Sequence, residues 1–414
     1  MFRRLALLLV VALIVPFAIS AKCVPPLPAS WPFNTLQLGM ADSPGGAAAL
    51  RQTAPFGFRY QYLSAGVNTG SGWATWNANG AFATNYIQDS VNNGIVPVFT
   101  YYQMRQSLPG ANESESAGNY DNMQNTQTMT AYYNDLKLFF QRAGAFPNNK
   151  VVLHVEPDLW GYLEQKSSGD DASTVPAQVS ATGLGELAGL PNTVVGFAQA
   201  IKKLRDTYAP NVILGYHTSA WGTGDDFTYS DPSNATIDAE ARRAGDFYKS
   251  LDTPFDVSFA EFSDRDAAFK QDQYGDGGAS WFDAGDFARH LRFMVDFSAA
   301  SHTRIVLWQI PLGNTKMRAM NNTWDHYQDN RVEWLLDDAT RQHLQAYVDA
   351  GVVAFLFGRG ADGATCACDA AGDGVTNPGP INGNNGTSVS ADDDGGFFRQ
   401  KAAAYYAGGA IPLP

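Results

Sequence analysis

Charge is scarce in this chain. Of 414 residues only 17% are Asp, Glu, Lys or Arg, against roughly 25% in an average globular protein, and they sum to −13. That shortage of cations argues against an electrostatic grip on a phosphate backbone or an anionic bilayer, so nucleic acid is not an expected partner. Cysteine is nearly absent too, with three in all. Cys366 and Cys368 stand too close in sequence to bridge each other comfortably, which leaves Cys23 paired with one of them as the expected disulfide. Zinc is the competing reading, but a lone Cys-x-Cys without a nearby His pair is a weak metal signal. No Gly-x-Gly-x-x-Gly follows the first strand candidate, no Walker motif appears, and there is no Gly-x-Ser-x-Gly elbow. These absences argue against dinucleotide, P-loop and Ser-His-Asp hydrolase chemistry. No cofactor and no metal is expected.

Long apolar runs are missing after the first residues. Arg3 and Arg4 precede an apolar run from Leu5 to Ile19, followed by small residues at Ser20 and Ala21. The run is shorter than the roughly 20 residues of a spanning helix. Residues 1–21 therefore read as a secretory signal peptide, and the expectation is a soluble monomer, secreted or periplasmic and free of the membrane after cleavage. Cys23 raises a lipid-anchor alternative, against which Lys22 stands where a small residue normally precedes the modified cysteine.

Aromatic residues, by contrast, are abundant at 13%, with 9 Trp and 18 Tyr. Rings this numerous must lie partly along a surface or cleft, where they suit a neutral ring-shaped ligand such as a sugar. After a lead segment over residues 22–35, short apolar runs alternate with stretches of helical spacing over 36–414. The strand candidates are Leu36 to Met40, Phe56 to Tyr62, Ile95 to Tyr102, Val151 to Val155, Val212 to Tyr216, Val257 to Ala260, Ile305 to Gln309 and Val352 to Phe357. Helix candidates include Thr126 to Ala143, Thr193 to Tyr208, Ile237 to Leu251, Asp283 to Ala300, Arg331 to Ala350 and Phe397 to Tyr406. Strands separated by helices predict parallel β-α units, and eight such units fit a single α/β domain, a (β/α)8 TIM-like barrel with long loops. A doubly wound open sheet is the rival. The segment Gly360 to Gly396, dense in Gly, Asn and Asp, reads as a long loop.

In such a barrel the loops after the strands gather at one face, so the residues just past each strand carry the candidate site. They are Asp42 after the first strand and Tyr102 after the third. The fourth leads to His154, Glu156, Asp158 and Trp160, the fifth to His217 and Trp221. The sixth delivers Glu261 and Asp264, the seventh Trp308 and Gln309, the eighth Arg359 and Asp362. Paired carboxylates beside aromatic faces are what glycosidic cleavage needs, because one acid protonates the leaving oxygen while another carboxylate attacks the sugar or activates water. A His154 and Glu156 pair on one strand face is the metal alternative. Each residue also has a plainer reading: Glu156 as a structural carboxylate tied to an arginine, Trp308 as core, Asp264 as a helix cap.

The stretch Val151-Val152-Leu153-His154-Val155-Glu156-Pro157-Asp158-Leu159-Trp160 resembles the Ile-Glu-Pro-Asp-Ser-Leu strand of the cellulases of glycoside hydrolase family six. The resemblance continues through the Trp-bearing strand region Asn211 to Gly222 and the helix carrying Phe247, Tyr248 and Lys249. Gly358-Arg359-Gly360-Ala361-Asp362-Gly363 looks like that family's Asp-Gly turn. It implies Asp158 as general acid and Asp362 as a candidate base. The chain departs from the family at Gln103-Met104-Arg105-Gln106, where an Asp-Arg-Asp-Cys segment would stand, and at His217 in place of an Asp. The family's usual seven strands are eight here.

The resulting expectation is an exported enzyme cleaving glycosidic bonds of a β-glucan-like polysaccharide or oligosaccharide. In the leading scheme it inverts, with Asp158 as acid and Asp362 or Asp264 as base. In the second scheme it retains, through Glu156 and Glu261. Asp42, Tyr102, Trp160, His217, Trp221, Trp308, Gln309 and Arg359 are the expected sugar contacts. A barrel that binds carbohydrate without cleaving it remains the alternative, and its mark would be a ring-lined groove with no two facing carboxylates.

Overall fold

The computed structural model describes residues 24–263, 265–316, 327–358 and 397–414. Asp264, Arg359, Asp362, the three cysteines and residues 1–21 lie outside them. The strands are β1 (Gln37–Ala41), β2 (Phe58–Leu63), β3 (Val96–Tyr101), β4 (Val151–Val155), β5 (Val212–Thr218), β6 (Val257–Glu261), β7 (Ile305–Pro311) and β8 (Val352–Gly358). Each pairs in parallel with the next, and β8 returns to β1, with Gln37 opposite Ala354 and Met40 opposite Phe357, so the sheet closes into a barrel. The chain is a (β/α)8 TIM barrel.

Side chains alternate across each strand. One set meets inside: Phe58, Tyr60, Val98, Val152, Ile213, Val257, Phe259, Val306, Trp308 and Leu356 form a single buried cluster. The other set, including Leu153, Leu214, Leu307 and Phe355, packs outward against the helices. Trp31, in the lead segment, joins the inner cluster with its ring 5.3 Å from that of Phe58, and Phe33 lies 5.2 Å from the same ring. Trp31 and Phe33 thus cover the end of the barrel where the strands begin, leaving the opposite mouth for chemistry. Among the described residues no helix is long and apolar enough to cross a membrane.

One helix differs from its expected span. The stretch Arg331 to Ala350 forms two helices, Arg331–Leu336 and Gln342–Asp349. Between them the Asp338 carboxylate accepts hydrogen bonds from the backbone N–H groups of Thr340 at 2.9 Å and His343 at 3.1 Å. A side chain that captures local backbone donors offers the chain an alternative to helix, which spacing alone does not reveal.

Asp42 is a second correction. Instead of facing a sugar it is buried at the end of β1 with its Oδ2 2.7 Å from Nε of Arg59, a pair with side chains 1% and 0% exposed. The Arg59 guanidinium also donates to the Ser43 carbonyl at 2.7 Å, reaches Asp89, and lies 4.0 Å from the centre of the Tyr86 ring. Burial pushes the Asp42 carboxyl up to about 6, although Arg59 pulls the other way. Removing one partner of a buried ion pair strands the other without its counter-charge. Arg59→Met is therefore expected to lower the unfolding free energy by about 3 to 5 kcal/mol in urea titrations; a variant as stable as the parent would show that the pair does not anchor β1 to β2.

Candidate active site

The segment after β4 carries unusual backbone. Glu156 and Asp158 adopt φ of 45° and 67°, left-handed values that non-glycine residues rarely hold. A third such residue, Gln309 with φ 57°, sits in β7 where the pairing with β8 slips between Leu307 and Ile310. Irregular strands and strained backbone at the ends of barrel strands re-aim side chains, and here they surround one opening. It is a cleft of about 440 Å³ whose walls include Tyr62, Tyr102, Asp158, Tyr162, Trp221, Glu261, Trp308 and Gln309.

Two imidazoles lie beneath it. His154 on β4 and His217 on β5 are fully buried, and His154 Nε2 lies 2.9 Å from His217 Nδ1. The His154 ring stacks on Phe259 with centroids 4.1 Å apart and meets Trp308 edge-on at 4.8 Å, while its Nδ1 lies 3.3 Å from Thr100 Oγ1. Burial holds both imidazoles below the ordinary value, His217 down to about 3, and the His217 ring lowers His154 further. Both rings are therefore neutral in ordinary buffers. His217 Nε2 finds no hydrogen-bond partner. Above it stand two half-buried carboxylates, and one atom each from Asp158, His217 and Glu261 lies within 4.8 Å of the others.

The walls are aromatic and polar. Tyr162, on the helix Leu159–Lys166, packs against Trp221 with ring centroids 4.5 Å apart. Tyr62 accepts a hydrogen bond from Gln309 Nε2 at 2.7 Å, and the Tyr102 hydroxyl donates to Glu115 at 2.6 Å. Glu115, Asp226, Thr228, Tyr229, Arg265 and Lys270 complete the outer rim.

Of the expected residues, the structure brings Asp158, Glu261, Tyr102, Trp221, Trp308 and Gln309 to this cleft and sets His217 beneath it. Besides Asp42, it places Trp160 and Glu156 elsewhere. Trp160 is fully buried among Phe197, Tyr216 and Phe255, with Nε1 donating to the Val155 carbonyl at 2.9 Å, because the helix that starts at Leu159 turns this side chain into the barrel wall. Glu156 is also buried outside the cleft, and its two oxygens accept from the backbone N–H groups of Gln103 and Met104 at 3.2 Å. It pairs with neither an arginine nor His154, so the metal reading for that pair does not hold. Tyr62 escaped the sequence reading. Tyr62 had a signal, since it continues the inward alternation of Phe58 and Tyr60; Asp226 and Tyr229 come from a long loop after β5 and had none.

No protein-family model and no curated protein matches the chain. Among solved structures, exo-β-1,4-mannosidase Op5Man5 from an Opitutaceae bacterium is 9% identical with TM-score 0.48, covering 92% of this chain and 62% of its own. GH26C from a Muricauda species is 9% identical with TM-score 0.45, covering 78% of this chain and 79% of its own. Endoglucanase CEL6B from Humicola insolens is 12% identical with TM-score 0.35, covering 66% and 75%. At such identities the reading of the cleft rests on its own geometry.

Burial pushes the Glu156 carboxyl up to about 8, despite the backbone donors that favour its charge. The folded chain thus keeps a proton that the unfolded chain gives up near the ordinary value of 4.5. Glu156 consequently costs stability increasingly as pH rises from about 4.5 to about 8, and no further above that. Glu156→Gln has no charge to suppress, so its melting temperature is expected to fall less between pH 5 and pH 8 than that of the parent. Parallel melting curves across that range would contradict a protonated Glu156.

Proposed function

We propose that the protein cleaves glycosidic bonds of a polysaccharide or oligosaccharide with retention of configuration, using Asp158 as acid and base and Glu261 as nucleophile. The observation that carries this reading is the carboxylate pair itself. An oxygen of each lies within 4.8 Å of the other, nearer to the roughly 5 to 5.5 Å of retaining pairs than to the roughly 6.5 to 9.5 Å that leaves room for an inverting water. Two facing carboxylates in a ring-lined cleft also speak against a barrel that only binds sugar.

Chemically, Glu261 ends β6 opposite Trp308 of β7, so the strand ladder fixes the backbone from which its carboxylate reaches the cleft. Asp158 projects from the strained turn over the same point. Asp158 gives its proton to the glycosidic oxygen while a Glu261 oxygen bonds to the anomeric carbon and the carbon–oxygen bond to the leaving sugar breaks. Asp158, now ionised, takes a proton from water, the water oxygen displaces Glu261, and both carboxyl groups return to their starting states. Tyr162 and Trp221 offer flat faces on which pyranose rings stack. We read residues 1–21 as an export signal, so the mature chain works outside the cytoplasm; mass spectrometry of the secreted protein is expected to find a start after Ser20 or Ala21 and not at Met1.

A polysaccharide panel scored for reducing ends identifies the substrate. On that substrate Asp158→Asn is expected to lose about 10²- to 10⁴-fold in turnover, with most of the loss spared on aryl glycosides whose leaving group needs no proton. Glu261→Gln is expected to lose turnover on both. NMR of the first product carrying inverted configuration would remove Glu261 as nucleophile and return the base to Asp264 or Asp362.

A further inference from the structure

Sugar cleavage leaves the buried lone nitrogen of His217 without a task. We propose that Asp158, His217 and Glu261 form a binding site for a transition-metal dication of the zinc type, and that the bound ion shuts off the carboxylate pair. Three features of the site point to a cation. One donor atom from each residue lies within 4.8 Å of the other two, against about 3.4 Å between donors around a tetrahedral ion with 2.1 Å bonds, so the carboxylates close in on a bound ion. His217 is 0% exposed, its Nδ1 is engaged by His154, and Nε2, the remaining ring nitrogen, has no partner. The contacts at 2.9 and 3.3 Å accommodate the tautomer in which His217 Nδ1–H donates to His154 Nε2 and His154 Nδ1–H to Thr100 Oγ1, which leaves a lone pair at His217 Nε2. That is the outer hydrogen-bond chain by which ligating histidines are commonly oriented.

The donor set selects among ions. One imidazole and two carboxylates suit Zn²⁺, Co²⁺ or Mn²⁺, whereas Mg²⁺ and Ca²⁺ prefer oxygen alone. Asp158 and Glu261 line the open cleft while His217 lies buried beside them, so an ion here has three protein ligands and an open side toward solvent. Glu115 and Asp226 line the cleft too, against Arg265 and Lys270, so the acids outnumber the cations. Because the ion takes the same carboxylate oxygens that protonate and attack a sugar, ion and scissile bond compete for one place.

The test is binding, not turnover. Protein stripped with a chelator is titrated with Co²⁺, followed by its visible absorption, and with Zn²⁺, followed by calorimetry. One equivalent per chain is expected, undisturbed by millimolar Mg²⁺ and weakened at least tenfold in both His217→Ala and Glu261→Gln, while the distant His302→Ala binds as the parent does. Glu261→Gln is half-buried and nearly isosteric, so it carries the test if His217→Ala does not fold. No saturable uptake of either ion, or unchanged affinity in Glu261→Gln, overturns the site. Sugar cleavage is a separate readout: saturating Zn²⁺ is expected to stop it and excess chelator to restore it, and full turnover with the site saturated overturns the shut-off. Metal uptake by a chain that cleaves nothing even in the chelator removes the proposed function while the binding site stands.

Discussion

A closed ring of eight parallel strands admits only every second side chain to its interior, and that interior must be filled. Near the strand starts apolar residues fill it, with Phe58, Val98, Ile213 and Leu356 packing under the cover of Trp31. Nearer the open mouth β4 and β5 contribute imidazoles instead. Two histidines side by side satisfy each other at 2.9 Å, His154 stacks on Phe259 and both meet Trp308 edge-on, so they fill volume as aromatic rings would while keeping one nitrogen for the cleft. The position of that nitrogen follows from barrel closure, and the two carboxylates are placed relative to it.

The same alternation explains how much was legible in sequence. The eight strands were readable because both faces of a parallel barrel strand are buried, which writes compact runs such as Val151 to Val155 between amphipathic helices. Asp158, Glu261, Trp221 and Trp308 were readable because a barrel collects strand ends at one mouth. Side-chain direction was not readable there. Glu156 and Trp160 flank Asp158 in the chain, yet left-handed backbone at Glu156 and Asp158 breaks the two-residue period and sends both away from the cleft. Asp42 was misread for a related reason: its position at a strand end is right for a site, but Arg59 on the outer face of β2 captures it. The break at Asp338 and the rim from Asp226 to Tyr229 depend on local hydrogen bonds and loop paths that periodicity does not encode.

The turn after β4 joins these observations. A strand continuing regularly past Val155 would aim Glu156 into the barrel, because His154 already points inward and Glu156 lies two residues on. The left-handed step at Glu156 turns its carboxylate to the backbone N–H groups of Gln103 and Met104, in the segment following β3. Backbone strain of order 1 to 3 kcal/mol per residue persists only where surrounding contacts over-determine it. Those contacts are on hand: Glu156 N–H donates to the Tyr101 carbonyl at 2.7 Å, and Trp160 clamps the Val155 carbonyl. Glu156 and Trp160, though outside the cleft, are thus what holds Asp158 in it. An acid that must meet a glycosidic oxygen within a fraction of an ångström gains more from such a rigid mount than from a flexible loop. Burial also favours the protonated form of the Glu156 carboxyl, so this neighbour adds no negative charge near the pair.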